Sequence, residues 1–203
     1  MGKKELSGRE ACQDDSGKKA STAEQDFYVV FRKKFKNTNY ILHEKPKQLK
    51  NLYAQVELSR KVLNEIHSPS IDLSAVKWGL EPDFSIENTK TKKTLFGEIK
   101  RQDGWVEGKD PSAGRGNAHE RACKWFAPGL IKAARKASGI DSQDILPFWI
   151  VFQGDITRDP KRVREITLWF DKYRDNFFMW RPTMSGTDLL NHFYKKLRKY
   201  LDL

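Results

Sequence analysis

Three side chains in the middle of the chain have the types and spacing for metal-assisted hydrolysis. They are Asp83, preceded by Pro82, and then Glu98 and Lys100. Glu98 and Lys100 are two apart, so on a strand they point to the same face, roughly 7 Å apart along the chain. Asp83 opens a segment able to pair with theirs, which brings its carboxylate beside Glu98. Two carboxylates offer hard oxygen ligands to Mg²⁺, an ion that keeps several waters and takes a substrate phosphate oxygen as a further ligand. Such a metal polarises the phosphate and lowers the pKa of a bound water. An ammonium beside it can orient that water and stabilise developing negative charge. The spacing alone fits equally well a solvated strand face carrying one Glu–Lys pair.

A glycine-rich stretch follows at once. Residues 101–117 have the composition of a long loop, with Gly104, Gly108, Pro111, Gly114 and Gly116. The chain then reads Gly114-Arg115-Gly116-Asn117-Ala118-His119-Glu120-Arg121. Gly114 and Gly116 permit close approaches that other residues resist. Asn117 and Arg121 share a face if a helix begins near Ala118. Asparagine pairs bidentately with adenine, and arginine donates to purine acceptors in the major groove. Arg115, just before, could reach the next base pair. The same residues also make an ordinary helix start, with Asn117 and Glu120 as a cap pair and Arg121 in a surface ion pair. His119 and Cys123 have the spacing of half a zinc site, and no second His or Cys pair completes it. No G-x-x-x-x-G-K-[ST] loop occurs, which argues against a nucleotide cofactor.

The elements that must position these residues are legible from periodicity. Phe84 and Ile86 alternate with polar residues, a polar turn spans 88–93, and Leu95, Gly97 and Ile99 alternate again, which predicts a β-hairpin. Phe27, Val30, Phe31 and Phe35 predict a helix starting at Thr22, with Gln25 completing a capping box. Residues 58–66 predict a second helix and Tyr40–Leu42 a short strand. A helix is expected from about Ala118 to Ala137, kinked or broken at Pro128. Residues 147–152 read as a strand covered on both faces. Asp159 and Pro160 are good N-cap and N1 residues for a further helix. Phe177–Trp180 reads as a last strand, and Leu189, Leu190, Phe193, Leu197 and Leu201 mark a terminal helix. This order suggests an α/β class, a mixed sheet with helices on both faces. Residues 1–20 show no apolar period and read as a mobile arm, leaving 21–203 as a single domain.

Composition bounds the partners. The 203 residues carry 38 Lys+Arg against 27 Asp+Glu, a net charge of +11, which points to a polyanion and most simply to nucleic acid. An aromatic content of 12% excludes a disordered chain. No apolar run approaches the ~18 residues of a spanning helix, so no membrane partner is expected. Residues 1–19 hold no secretory apolar region, and two cysteines make no disulfide framework, so a cytoplasmic location is expected.

The residues 96–121, FGEIKRQDGWVEGKDPSAGRGNAHER, resemble the central region of the EcoRI-like PD-(D/E)xK group of type II restriction endonucleases, most closely members that recognise CAATTG. The likeness extends through LPFWIVFQGDITRDPKRVREIT and FMWRP. It implies the restriction-endonuclease-like fold, a central mixed β-sheet flanked by helices on both faces. It implies metal ligation, with Mg²⁺ as cofactor, by Asp83, Glu98 and the backbone carbonyl of Ile99. Lys100 would assist the attacking water. Asn117, Ala118 and Arg121 match the segment that reads the central AATT, and Arg115 the arginine that reads the outer C·G pair. His119 departs from EcoRI, which has an apolar residue there. Gly114, Gly116, Arg158, Lys161 and Arg162 are candidates for DNA or dimer contacts. The implied activity is hydrolysis of double-stranded DNA by a homodimer at C^AATTG, leaving four-base 5′ overhangs with 5′-phosphates. A cognate DNA methyltransferase would belong to the same restriction-modification system. The residues alone leave two alternatives: a repair nuclease or junction resolvase with the same catalytic arrangement, and a non-catalytic DNA-binding regulator.

Overall fold

The computed structural model describes residues 22–53, 56–66, 79–101, 122–157 and 160–203. Helix α1 (residues 22–35) buries Ala23, Phe27, Tyr28, Phe31 and Phe35 along one stripe. Strand β1 (Tyr40–Glu44) follows. Helix α2 (Arg60–Glu65) is shorter than its sequence suggests: Ser59 caps it by accepting from the Val62 N–H, and Leu58 and Ile66 stay exposed. Strands β2 (Phe84–Asn88) and β3 (Thr94–Arg101) form the expected hairpin.

The helix expected over 118–137 is divided. Residues Ala122–Phe126 form a 3₁₀ turn and helix α3 (Pro128–Ser138) starts afresh. Ala127 between them is extended, as the residue before a proline prefers to be, and Pro128 occupies a first-turn position where its missing N–H costs nothing. Strand β4 (Phe148–Gln153), helix α4 (Pro160–Phe170), a 3₁₀ turn (Asp171–Asn176) and strand β5 (Phe177–Trp180) come next. Helix α5 (Gly186–His192) runs through a π-type turn (Phe193–Leu197) into α6 (Lys199–Asp202). Leu189, Phe193, Leu197 and Leu201 are all fully buried there. A strict four-residue repeat drifts about 40° per step around a helix of 3.6 residues per turn. The wider turn, closed by Arg198 N–H donating to Phe193 O at 2.9 Å, takes up that drift and keeps the four side chains on one face.

The sheet order is β1-β2-β3-β4-β5. β1–β2 and β2–β3 are antiparallel, β3–β4 and β4–β5 parallel, so the sheet is mixed as expected. Strand alternation divides the core into two layers. Leu95, Ile99, Trp149, Val151 and Trp180 pack with α1 and the terminal helices on one face. Phe96, Phe148 and Ile150 pack with Trp125, α3 and Phe170 on the other. Glu98 and Lys100 share the Phe96 face, one and two steps nearer the strand end. Gly97, between Phe96 and Glu98, is required by a close approach: a Cβ there would lie 2.0 Å from Cζ of Phe84. Among the described residues no helix is long and apolar enough to cross a membrane. The expectation of an arm at 1–20, and of a loop over most of 101–117, lies outside the described residues.

Candidate active site

The hairpin register sets the geometry. Phe84 pairs with Gly97, so Asp83, one residue earlier, falls opposite Glu98 on the same face. The backbone of Asp83 is pinned from two directions. Its carbonyl accepts from the Tyr28 hydroxyl at 2.7 Å and from the Lys45 N–H at 3.1 Å. Lys45 has a left-handed φ of 46°, and this conformation aims both its N–H and its ammonium at Asp83. The Asp83 carboxylate accepts from the Ile99 N–H at 2.8 Å through Oδ2, and Oδ1 lies 3.2 Å from Lys45 Nζ. Lys45 Nζ also lies 3.0 Å from Glu24.

Glu98 is held differently. Its side chain is 3% exposed, and Oε1 accepts from Trp125 Nε1–H at 3.1 Å. Lys124 Nζ lies 3.3 Å from the same oxygen. The other oxygen, Oε2, accepts from Lys100 Nζ. Lys100 Nζ is also 3.4 Å from Asp83 Oδ2 and 3.3 Å from the Ile99 carbonyl. Buried carboxylates persist only when paired and hydrogen-bonded, and both of these are.

Burial pushes the Asp83 carboxyl upward, but the Lys100 ammonium, the Ile99 N–H and Lys45 together hold it below the usual carboxylate range. Burial pushes the Lys100 amine downward, and the Glu98 and Asp83 carboxylates outweigh it, so its pKa is raised. Both groups are therefore charged near neutral pH. Three carboxylates, Glu24, Asp83 and Glu98, face three ammonium groups, Lys45, Lys100 and Lys124, so the formal charges of the cluster balance.

The donor set suits a hard divalent cation. Asp83 Oδ2, Glu98 Oε2 and the Ile99 carbonyl converge on one cationic nitrogen, so their lone pairs are already aimed at a common point. Two carboxylates and one carbonyl leave room for water and phosphate oxygen, as Mg²⁺ requires. Asp83, Glu98, Ile99 and Lys100 are thus brought together as the sequence suggests. Gly114, Arg115, Gly116, Asn117, Ala118, His119, Arg121 and Arg158 lie outside the described residues. Lys161 and Arg162 sit on α4 and pair with Glu165, at 3.7 and 2.7 Å. Tyr28, Lys45, Lys124 and Trp125 were not legible as site residues, because each reaches the carboxylates from a separate stretch of chain with no motif of its own.

Known proteins bear directly on this geometry. The sequence profile of the family described as type II restriction enzyme MunI matches residues 1–202. The curated type II restriction enzyme MunI of Mycoplasma sp. is 67% identical over 202 residues, covering 100% of both chains. The crystal structure of MunI restriction endonuclease in complex with cognate DNA superposes with a TM-score of 0.77 at 67% identity, covering 92% of this chain and 94% of that one. A carboxylate pair and lysine on a mixed sheet, with this likeness running from end to end, lead to one conclusion: the chain belongs to the MunI family of type II restriction enzymes, site-specific endonucleases that act on DNA.

Proposed function

We propose that the chain cuts duplex DNA at the palindrome CAATTG as a homodimer, with Mg²⁺ as cofactor, hydrolysing C^AATTG to leave 5′-phosphates on four-base overhangs. The observation that carries this reading is the convergence of Asp83, Glu98 and the Ile99 carbonyl on one cationic group, the Lys100 ammonium, which marks where their oxygens would meet a metal ion. The relative solved with its cognate DNA supports duplex DNA as the substrate. A two-fold palindrome is most simply read by a two-fold dimer, one half-site and one strand per subunit.

Asp83, Glu98 and the Ile99 carbonyl hold the metal, which supplies Lewis-acid polarisation of the phosphate and acidification of water when bound. Lys100 places its ammonium where it can orient the attacking water and offset charge gathering on the phosphate oxygens. Water oxygen bonds to phosphorus as the bond to the 3′-oxygen breaks, and the proton ends on that 3′-hydroxyl. Trp125 and the Ile99 N–H hold the two carboxylates in place. Asn117, Ala118 and Arg121 read the AATT core and Arg115 the outer C·G pair. Gly114 and Gly116 admit the backbone close to the bases. Arg158, Lys161 and Arg162 contact phosphate or the partner subunit. The enzyme acts in the cytoplasm beside a cognate methyltransferase that protects the same site.

The test is digestion of a plasmid with a single CAATTG site in the presence of Mg²⁺. Linearisation with ends mapping to C^AATTG is expected. An uncut plasmid, or ends at another sequence, would overturn the reading. Sedimentation of the free protein at the mass of two chains is expected alongside it.

A further inference from the structure

We propose that Arg101, Arg181 and Gln153 form a binding site for a DNA backbone phosphate close to the one that is cut. The proposal rests on the endonuclease reading and deepens it. Arg101 follows Lys100 on β3, so it leaves the strand on the opposite face. In register it pairs with Gln153 on β4, and Gln153 pairs with Trp180 on β5. These residues end three adjacent parallel strands, and a cavity of about 240 Å³ opens there, lined by Arg101, Gln153, Trp180, Arg181 and Met184 among others.

Two polar atoms in this cavity are orphaned. Arg101 Nε and Gln153 Oε1 are both buried, and neither has a hydrogen-bond partner among the described residues. Buried groups of this kind are rare and call for a missing ligand or water. Arg181 is held only loosely, with Nε 3.5 Å from Asp155 Oδ2. The Gln153 amide nitrogen donates to Asp26 Oδ2 at 3.3 Å, at the long end for such a bond. The carboxylates at hand are therefore already engaged at the margins, and among the described residues no ion pair to the Arg101 guanidinium is formed. Two guanidinium groups around a small polar cavity fit a phosphate, whose oxygens accept from their planar forks. A bound phosphate takes the Arg101 Nε–H directly, and the Gln153 acceptor takes a water bridging to it.

Position selects the source of the phosphate. Lys100 marks the scissile group, and Arg101 lies one residue further along the same strand. Each DNA strand carries a phosphate about every 3.4 Å along the helix axis. Lys100 and Arg101 emerge at the same end of β3 on opposite faces, so a strand that crosses this edge with its scissile phosphate at Lys100 carries another of its phosphates past Arg101.

The experiment compares wild type, Arg101→Gln, Arg101→Lys and Arg181→Gln by equilibrium binding to a cognate and a non-cognate duplex, with Ca²⁺ replacing Mg²⁺. For Arg101→Gln and Arg181→Gln, the plot of log affinity against log salt is expected to flatten by about 0.9, one phosphate contact each. Affinity is expected to fall about tenfold on both duplexes alike, the size of one charged hydrogen bond. Arg101→Lys keeps the charge and is expected to retain the wild-type slope while losing part of the affinity, which separates the site from general unfolding. Single methylphosphonates then locate the contact: one position beside the scissile phosphate weakens wild type and leaves Arg101→Gln unaffected. An unchanged slope, a methylphosphonate penalty that persists in Arg101→Gln, or a loss confined to one base sequence overturns the proposal. So does Arg101-dependent binding of inorganic phosphate alone without any change in the DNA slope. Failure of wild type to cut plasmid would overturn the endonuclease reading and is scored separately from the slopes.

Discussion

Asp83 and Glu98 face each other across the hairpin but are fixed by different means. Asp83 is held from the sheet and from α1, through both its main chain and its carboxylate. Its carbonyl is anchored by Tyr28 and Lys45, and its carboxylate takes the Ile99 N–H. Glu98 is held by side chains, Trp125 and Lys124, from the 3₁₀ turn that begins one residue after Arg121. One carboxylate is therefore fixed by the hairpin, by α1 and by the residue that follows β1. The other depends on the segment that continues the proposed base-reading stretch. A hydrogen bond to a ligating carboxylate is part of the ligand's aim, and its loss is felt in metal affinity before it is felt in the fold.

The comparison can be broken most severely at the carboxylates themselves. Asp83→Ala and Glu98→Ala are each expected to take single-turnover cleavage below detection. Either substitution also removes a negative charge that repels phosphate, so metal-free binding to the duplex is expected to improve in a gel-shift assay. No gain in either variant would place the scissile phosphate elsewhere.

Trp125→Phe tests the Glu98 side alone. Metal affinity measured by calorimetry is expected to fall about 10- to 100-fold, with the melting temperature little changed. Indole fluorescence that responds to metal in wild type and loses that component in the variant would tie the effect to this ring. Gly97→Ala tests the sheet side. The Phe84 ring must move off a position now 2.0 Å from the new carbon, and a loss of about 1–3 kcal/mol is expected in urea unfolding, with Asp83 displaced as well. Tyr28→Phe is milder. It removes one of two donors to the Asp83 carbonyl, and about 1 kcal/mol of stability is expected to go, with metal affinity nearly intact. If Tyr28→Phe moved metal affinity as much as Trp125→Phe, the distinction between the two carboxylates would collapse.

The smallest effect lies on the sheet face opposite the carboxylates, where His192 stacks on Trp149, and serves as the control. Burial pushes the His192 imidazole below its ordinary pKa, against the upward pull of the Asp175 carbonyl, 2.7 Å from Nε2, and of the Asp175 carboxylate; Lys196 adds to the lowering. Between the depressed folded value and about 6.5 the unfolded chain binds more protons, so this stability is full above pH 6.5 and is lost as pH falls through the folded value. His192→Asn is expected to flatten that part of the stability–pH curve and leave metal affinity unchanged.

Much of this was readable in the sequence, for a physical reason. Alternation at 84–99 fixes faces as well as strands, so the side on which Asp83, Glu98 and Lys100 meet follows from period two. Pro128 announces the division of the helix, because its ring and missing N–H cannot continue one. The four-residue repeat at 189–201 marks the buried stripe correctly but conceals the π turn, since periodicity does not reveal how the backbone absorbs its drift. The partners of the carboxylates were hidden for another reason. Trp125 and Lys45 carry no local signal, and their roles exist only once strands distant in sequence have paired. Lys45 further depends on a left-handed backbone that nothing in its neighbours requires.

The mixed sheet has a consequence for the order in which the catalytic centre is assembled. β3 pairs antiparallel with β2 across a short turn, but parallel with β4 only after the long intervening segment has been closed. Short closures cost less entropy and happen sooner. Asp83, Glu98 and Lys100 therefore come together with the nascent hairpin, while Trp125 arrives with the crossover. During refolding, protection of the hairpin amides should precede the change in Trp125 emission, and the protein should be able to gather a cation before it can read a base.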